Sequence, residues 1–304
     1  MHNFFNIILI NKSGGFQFRQ QVCMNGLVLE GGGMRGLFTA GIIDVWMEKG
    51  IRFDGIIGVS AGATFGCNYK SHQPGRVIRY NIRFKNDPRY MGIGSLIKTG
   101  DYVNGPFSYH YMPLKLDIFD TETFTNDPSE FWVVATDVHT GEPHYKQIKE
   151  VNYESLEWIR ASASLPILSK PVQLGTDYFL DGGISDSIPV RFFQQQGYNR
   201  NVVILTQPKG FKKKPTKLMP VFKATMRRYP AIIEAMKRRH EMYNNELEYI
   251  TEQERLGNTL VIYPDDVLPI GRTSQNESKM RRIYEMGRKA GEATAEKVRC
   301  FVAP

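Results

Sequence analysis

Two glycine-rich turns, 27 residues apart from Gly33 to Ser60, constrain this 304-residue chain more than any other feature. Each follows a short apolar run and leads into a stretch with helical spacing. Gly26–Glu30 reads as a buried strand, and Met34–Lys49 places Leu37, Ala40, Ile43, Val45 and Met47 at the intervals of a helix that stops before Gly50. Phe53–Val59 reads as a second buried strand, and Ala61 opens a second helix. That order predicts two parallel strands joined by a right-handed crossover. Adjacent parallel strands place both turns at one carboxyl edge, where α/β proteins build their sites.

The first turn is Gly31-Gly32-Gly33-Met34-Arg35-Gly36. Gly31, Gly33 and Gly36 match the dinucleotide fingerprint, which also needs an acidic residue at the end of the second strand. That strand ends in Gly58-Val59-Ser60, with Asp54 at its start, so the nucleotide reading loses its second anchor. The second turn, Gly58-Val59-Ser60-Ala61-Gly62, is a GxSxG between strand and helix. Small neighbours there let a serine hydroxyl stand exposed at a helix N-terminus. With the first turn beside it, backbone N–H groups face the carbonyl oxygen that Ser60 attacks, as an oxyanion hole does. The plain alternative is two tight turns that need glycine.

Further strands are predicted at Phe131–Thr136, Tyr178–Leu180, Asn201–Thr206 and Thr259–Tyr263. Helices are predicted at Tyr153–Ala163, Met219–Arg228, Ala231–Gln253 and Asn276–Arg299. The Gly-, Pro- and aromatic-rich stretch from Lys85 to Asp120 receives no assignment. Without an internal repeat or a clear linker, the pattern points to one large α/β domain. A composition 41% hydrophobic and 23% charged excludes a disordered chain, a collagen-like repeat and a coiled coil. No apolar run approaches the ~18 residues of a membrane span; the densest, Phe4–Ile10, is broken by Asn6. It also lacks the flanks of a signal peptide, so residues 1–23 read as a flexible extension ahead of a domain at 24–304. Cys23, Cys67 and Cys300 are too few and too scattered for a disulfide framework, which favours a reducing, cytoplasmic setting.

A nucleophilic serine needs a base. His240, the only late histidine, lies in a basic helical stretch; His139 and His144 flank a Gly141-Glu142-Pro143 turn and fit a hairpin tip. Asp181 is the better base: Tyr178–Leu180 delivers Asp181-Gly182-Gly183, whose glycines indicate close backbone approach, although from the triplet alone an Asx-type turn is the default reading, which the resemblance given next reverses.

Together these motifs resemble the bacterial patatin-like phospholipases. The resemblance rests on Gly31–Gly36, Gly58–Gly62 and Asp181-Gly182-Gly183, with Ala161-Ser162-Ala163-Ser164-Leu165-Pro166 before the aspartate and Ile188-Pro189 after it. It spans about Gly26 to Gln207, and the last hundred residues resemble the bacterial members more loosely. Glu30 departs from the aspartate of many members, a change expected to alter loop packing rather than chemistry. The resemblance implies a three-layer α/β/α fold with a mostly parallel sheet and a Ser–Asp dyad that uses no histidine, metal or cofactor. Ser60 is then the nucleophile and Asp181 its base. The N–H groups of Gly32, Gly33 and Met34 stabilise the oxyanion, and Arg35 adds positive potential. The implied reaction releases fatty acid from a lipid ester through an acyl-enzyme. An acyltransferase on the same serine and a non-catalytic lipid- or nucleotide-binding protein are the alternatives.

The net charge of +8 is concentrated. Lys209–His240 carries eleven Lys and Arg against Glu234 alone, and this basic region runs into the helices that end near residue 299. Such a strip is a solvated face or an electrostatic dock for an anionic membrane, led by Lys212, Lys213 and Lys214. No nucleic-acid motif accompanies it. Tyr90–Met112 reads as an acyl-groove lining, a lid or an ordinary surface segment.

Overall fold

The computed structural model describes residues 24–303 in full, together with the backbone of 4–10 and 16–22. Phe4–Ile10 (β1) and Phe16–Val22 (β2) pair antiparallel as a separate ribbon. The rest of the 1–23 segment, including Cys23, lies outside the described residues.

The central sheet begins with Asn25–Leu29 (β3), followed by helix Gly36–Glu48 (α1), strand Gly55–Val59 (β4) and helix Ala61–Lys70 (α2). β3 and β4 are parallel neighbours, with Leu29 opposite Gly58, so both glycine turns leave the same edge as expected. Helices Arg76–Phe84 (α3) and Ile93–Thr99 (α4), a π-helical segment at Pro106–Leu116, and Thr121–Asn126 (α5) come next. Glu130–Asp137 (β5) and Pro143–Gln147 (β6) form the hairpin whose tip holds His139. Tyr153–Ser162 (α6), Val172–Leu174 (β7), Asp177–Asp181 (β8) and Val190–Gln195 (α7) follow. The chain closes with Arg200–Ile204 (β9), Met219–Thr225 (α8), Pro230–Arg255 (α9), Thr259–Ile262 (β10) and Glu277–Val302 (α10).

Strands β10, β9, β3, β4 and β5 run parallel in that spatial order, while β6 and β8 pair antiparallel with β5 and β7 pairs antiparallel with β8. Strand alternation divides the core into two layers. Leu27 and Leu29 of β3, Val202 and Ile204 of β9, and Phe131 and Val133 of β5 face α1, α2 and α10. Val28, Ile57, Val59 and Val203 face the opposite way, onto α7 and α9. The fold is therefore α/β with helices on both sheet faces. Both covering layers draw on the C-terminal third of the chain.

The contact of α10 with α1 depends on small residues. A Cβ on Gly41 would run into the Tyr284 carbonyl, and one on Gly287 into that of Phe38. With the backbones this close, buried Asp44 of α1 accepts the Tyr284 hydroxyl at 2.7 Å and the Gly75 N–H at 2.8 Å.

Candidate active site

Strand β5 aligns the two candidate catalytic residues through its own register. Val133 and Val134 pair with β4 on one edge and β6 on the other; Ala135 and Thr136 pair with β8 and β6. Strand β8 therefore takes over the edge of β5 where β4 stops, and the two strands meet head to head. Val59 lies opposite Val134 and Asp181 opposite Ala135, so adjacent residues of one strand bring the start of the serine turn and the aspartate together. Gly182 turns the chain away here, and a Cβ on it would collide with the Val134 carbonyl.

Ser60 has φ 57° and ψ −121°, a left-handed conformation that costs a non-glycine residue about 1–3 kcal/mol. Its N–H donates to Ser162 Oγ at 2.9 Å, and its carbonyl starts α2 by accepting from Ala63 and Thr64. The neighbouring glycines let the turn close, since a Cβ on Gly31 would lie 2.7 Å from the Ser60 Cβ and one on Gly62 would meet the Leu29 carbonyl. The motif from Ala161 to Pro166 supports both candidates: Ser162 holds the Ser60 N–H, and the Ser164 carbonyl accepts the Asp181 N–H at 2.8 Å.

Asp181 is 2% exposed. Its Oδ1 accepts the Gly183 N–H at 2.8 Å, whereas Oδ2 has no well-formed hydrogen bond. Burial raises the carboxyl above the usual aspartate range; the nearby Ser60 hydroxyl is the strongest opposing influence, followed by Arg239. A buried carboxylate with a free oxygen beside a serine is a stronger base than one in water.

The first glycine turn needs one correction to the expected set of oxyanion donors. The Met34 N–H donates to the Arg272 carbonyl at 3.0 Å, because the chain before α10 crosses the turn so closely that a Cβ on Gly33 would strike Arg272. The N–H groups of Gly32 and Gly33 donate to no partner among the described residues. The Arg35 side chain lines a polar cavity at the turn, and Gly36 packs against Ala61 and Phe65 at the start of α1. Glu30 is buried and ties the turn to other elements: Oε2 accepts the Thr206 N–H at 2.6 Å and its hydroxyl at 3.0 Å, while Oε1 accepts the Tyr243 hydroxyl at 2.6 Å.

Two cavities meet at Ser60. An apolar one of about 150 Å³ is lined by Phe65, Tyr80, Tyr109, Met112, Leu156 and Ile159, among others. Tyr90, Met91, Tyr102 and Val103 also line it, so the unassigned aromatic segment forms much of its wall. The second, of about 30 Å³, is polar and includes Glu30, Arg35, Asp181, Lys213, Arg239 and Arg272. No described histidine lines either cavity. Lys213 departs from its expected place in an exposed trio. Lys212 and Lys214 are exposed, but Lys213 turns inward and lies 3.8 Å from the centre of the Tyr243 ring. Arg239, Tyr243 and Glu246 of α9 also went unrecognised in the sequence. Arg239 donates to the Gly183 carbonyl, and Glu246 accepts the Ser187 N–H at 3.0 Å. Their i, i+4, i+7 spacing marks one helix face, but within a basic run it resembles a solvated stripe.

The described residues contain no helix long and apolar enough to cross a membrane. A family model described as a patatin-like phospholipase matches residues 27–193, and a domain of unknown function, DUF6363, matches residues 229–303. The chain is 36% identical over 194 residues to the uncharacterized protein YjjU of Escherichia coli, covering 60% of this chain and 52% of that protein. It is 31% identical over 180 residues to the lysophospholipase NTE1 of Kluyveromyces lactis, covering 57% of this chain and 12% of that protein. The chain thus spans about half the length of the first relative and a small part of the second. VipD from Legionella pneumophila superposes with a TM-score of 0.46 at 15% identity, over 98% of this chain and 71% of that one. With its family match covering more than half of its length, the chain belongs to the patatin-like phospholipase family.

Proposed function

We propose that the protein is a serine acyl hydrolase that cleaves ester-linked fatty acids from phospholipids or related lipids. The observation that carries this reading is Ser60, held in a strained turn beside the unpartnered Oδ2 of buried Asp181, in the wall of an apolar cavity. Asp181 takes the Ser60 proton as Oγ bonds to the ester carbonyl carbon. The carbonyl electron pair moves to oxygen, where the N–H groups of Gly32 and Gly33 stabilise it, at roughly 3–4 kcal/mol per donor. The carbon–oxygen bond to the alcohol then breaks, and Asp181 protonates that alcohol. Water attacks the acyl-enzyme, gives its proton to Asp181 and releases the fatty acid; the proton returns to Ser60. The apolar cavity takes the acyl chain.

The test is intact-mass analysis after fluorophosphonate treatment of wild type, Ser60→Ala and Asp181→Asn. One adduct on wild type, absent from Ser60→Ala and slower to form in Asp181→Asn, is the expected result. A folded wild type that stays unlabelled with and without vesicles overturns the reading.

Peripheral contact with anionic membranes belongs to the same proposal and rests on exposed Lys212 and Lys214. Near an anionic surface each contributes about 1 kcal/mol. Reversing both charges weakens co-sedimentation with anionic vesicles; unchanged sedimentation removes this part.

A further inference from the structure

The two cavities at Ser60 share Arg272 in their walls but differ in how their other cations are held. Buried Arg76, in the wall of the apolar cavity, is neutralised. Its Nε lies 3.2 Å from Asp117 Oδ1, Nη1 donates to Asn68 Oδ1 at 2.8 Å, and Nη2 donates to the Asp117 carbonyl at 2.7 Å. The polar cavity gathers Arg35, Lys213, Arg239 and Arg272, and none of these has an ion-pair partner within 4.0 Å among the described residues. Its two carboxylates, Glu30 and Asp181, compensate only in part: four cations against two carboxylates leave an excess of two positive charges when all six groups are ionised.

These cations are held in place. The Lys213 N–H donates to Asn244 Oδ1 at 2.9 Å and its carbonyl accepts from Asn244 Nδ2 at 3.0 Å, which clamps the backbone while the side chain turns inward over Tyr243. Arg239 is anchored on the Gly183 carbonyl, and the Arg272 carbonyl on the Met34 N–H. Burial and the positive charges of Arg239, Arg272 and Arg35 press the Lys213 ammonium down to about 7. Several uncompensated cations around a small polar space form an environment that a bound anion relieves.

We infer that this chamber binds a phosphate on the alcohol side of the scissile ester, so that the preferred substrate is a monoacyl glycerol phosphate with an unsubstituted phosphate. The inference rests on Ser60 acting as the hydrolytic nucleophile. It also assigns a role to residues 229–303, which supply Arg239 and Arg272, with Lys213 from the segment before them. A phosphate monoester carries nearly two negative charges and matches the excess. The cavity of about 30 Å³ suits a compact head. A choline-bearing diester has one negative charge and would bring a cation against Lys213 and the arginines.

The experiment compares kcat/KM of the full chain for 1-oleoylglycerol 3-phosphate and 1-oleoylglycerol, which share the ester and differ in the phosphate. Wild type favours the phosphorylated ester by at least ~10-fold. Lys213→Met and Arg272→Gln each reduce that ratio by ~10-fold, as expected for loss of a charge-assisted hydrogen bond. The control Lys297→Met, which removes an exposed charge of α10, leaves the ratio unchanged. Glycerol 3-phosphate inhibits hydrolysis of a short neutral ester competitively, and more strongly than inorganic phosphate if the lipid head is the true ligand. Equal or stronger inhibition by inorganic phosphate assigns the chamber to the free ion and overturns the lipid-head reading. Equal rates on the two oleoyl esters, with a fluorophosphonate adduct on Ser60, overturn the inference alone. Absence of that adduct overturns the hydrolase reading. Calorimetry with glycerol 3-phosphate then decides the chamber separately: binding lost in Lys213→Met supports it, and no binding by wild type rejects it.

Discussion

Residues 27–193 and 229–303 build the site by different means. The first region works through backbone: two glycine turns, a strained serine and a carboxylate at the junction of two strands. The second works mainly through side chains of one long helix, with Arg239, Tyr243 and Glu246 touching the candidate catalytic loops, and adds the Arg272 backbone carbonyl, which takes the Met34 N–H. Backbone geometry needs particular residues at particular places, so it leaves short motifs. Side chains that reach in from a covering helix leave only a spacing, and their neighbours in sequence face solvent.

This contrast can be tested from its strongest effect downward. Ser60→Ala and Asp181→Asn are each expected to lower kcat/KM for a lipid ester by at least ~10³-fold, with unchanged circular dichroism. A loss below tenfold in either moves the chemistry away from the backbone-built half. Arg239→Met tests the other half through pH. Asp181 accepts a proton only when ionised, so activity rises as pH climbs through its raised pKa. Arg239 favours the ionised form, and its removal shifts the acid limb of kcat/KM to higher pH. A rate loss with an unmoved limb reduces Arg239 to a support for Gly183.

Ala163→Leu adds bulk to the wall of the apolar cavity and is expected to favour shorter acyl esters by roughly tenfold in relative kcat/KM. An unchanged chain-length profile places the acyl chain elsewhere. The last test concerns stability rather than rate, at the seam between the regions where Asp44 of α1 meets Tyr284 of α10. Burial raises Asp44 to about 6 from its ordinary 3.8, so its contribution to stability is complete below pH 3.8 and is lost as pH rises through 6. Over that window the loss amounts to about 3 kcal/mol. Asp44→Asn does not titrate, so its Tm relative to wild type should rise by a few degrees between pH 4 and pH 7. A constant difference means that Asp44 is charged throughout.

Much of the backbone-built half was legible. The predicted strands at Gly26–Glu30 and Phe53–Val59 are β3 and β4 to within two residues, because parallel strands buried on both faces read as continuous apolar runs. The helix predicted at Ala231–Gln253 is α9, and that predicted at Asn276–Arg299 is α10. Lys85–Asp120 resisted assignment because its aromatics bury against a cavity rather than a regular helix or sheet face, with Pro113 inside a π-helical segment. The basic strip misled at Lys213 and Arg239, since charge composition does not reveal which cations turn inward.

The sequence by itself determined the two turns, their shared sheet edge and the strand that delivers Asp181, because each demands a local conformation or spacing that few residue types satisfy. Tertiary structure alone decided that β4 and β8 meet head to head on β5, that the Arg272 carbonyl occupies the Met34 N–H, and that cations near the C-terminus face Ser60. Those outcomes depend on strand register between distant segments, on where the loop before α10 crosses the sheet edge, and on how the 26-residue α9 is rotated against the sheet. The packing of the whole core sets that rotation, and no short stretch of chain encodes it.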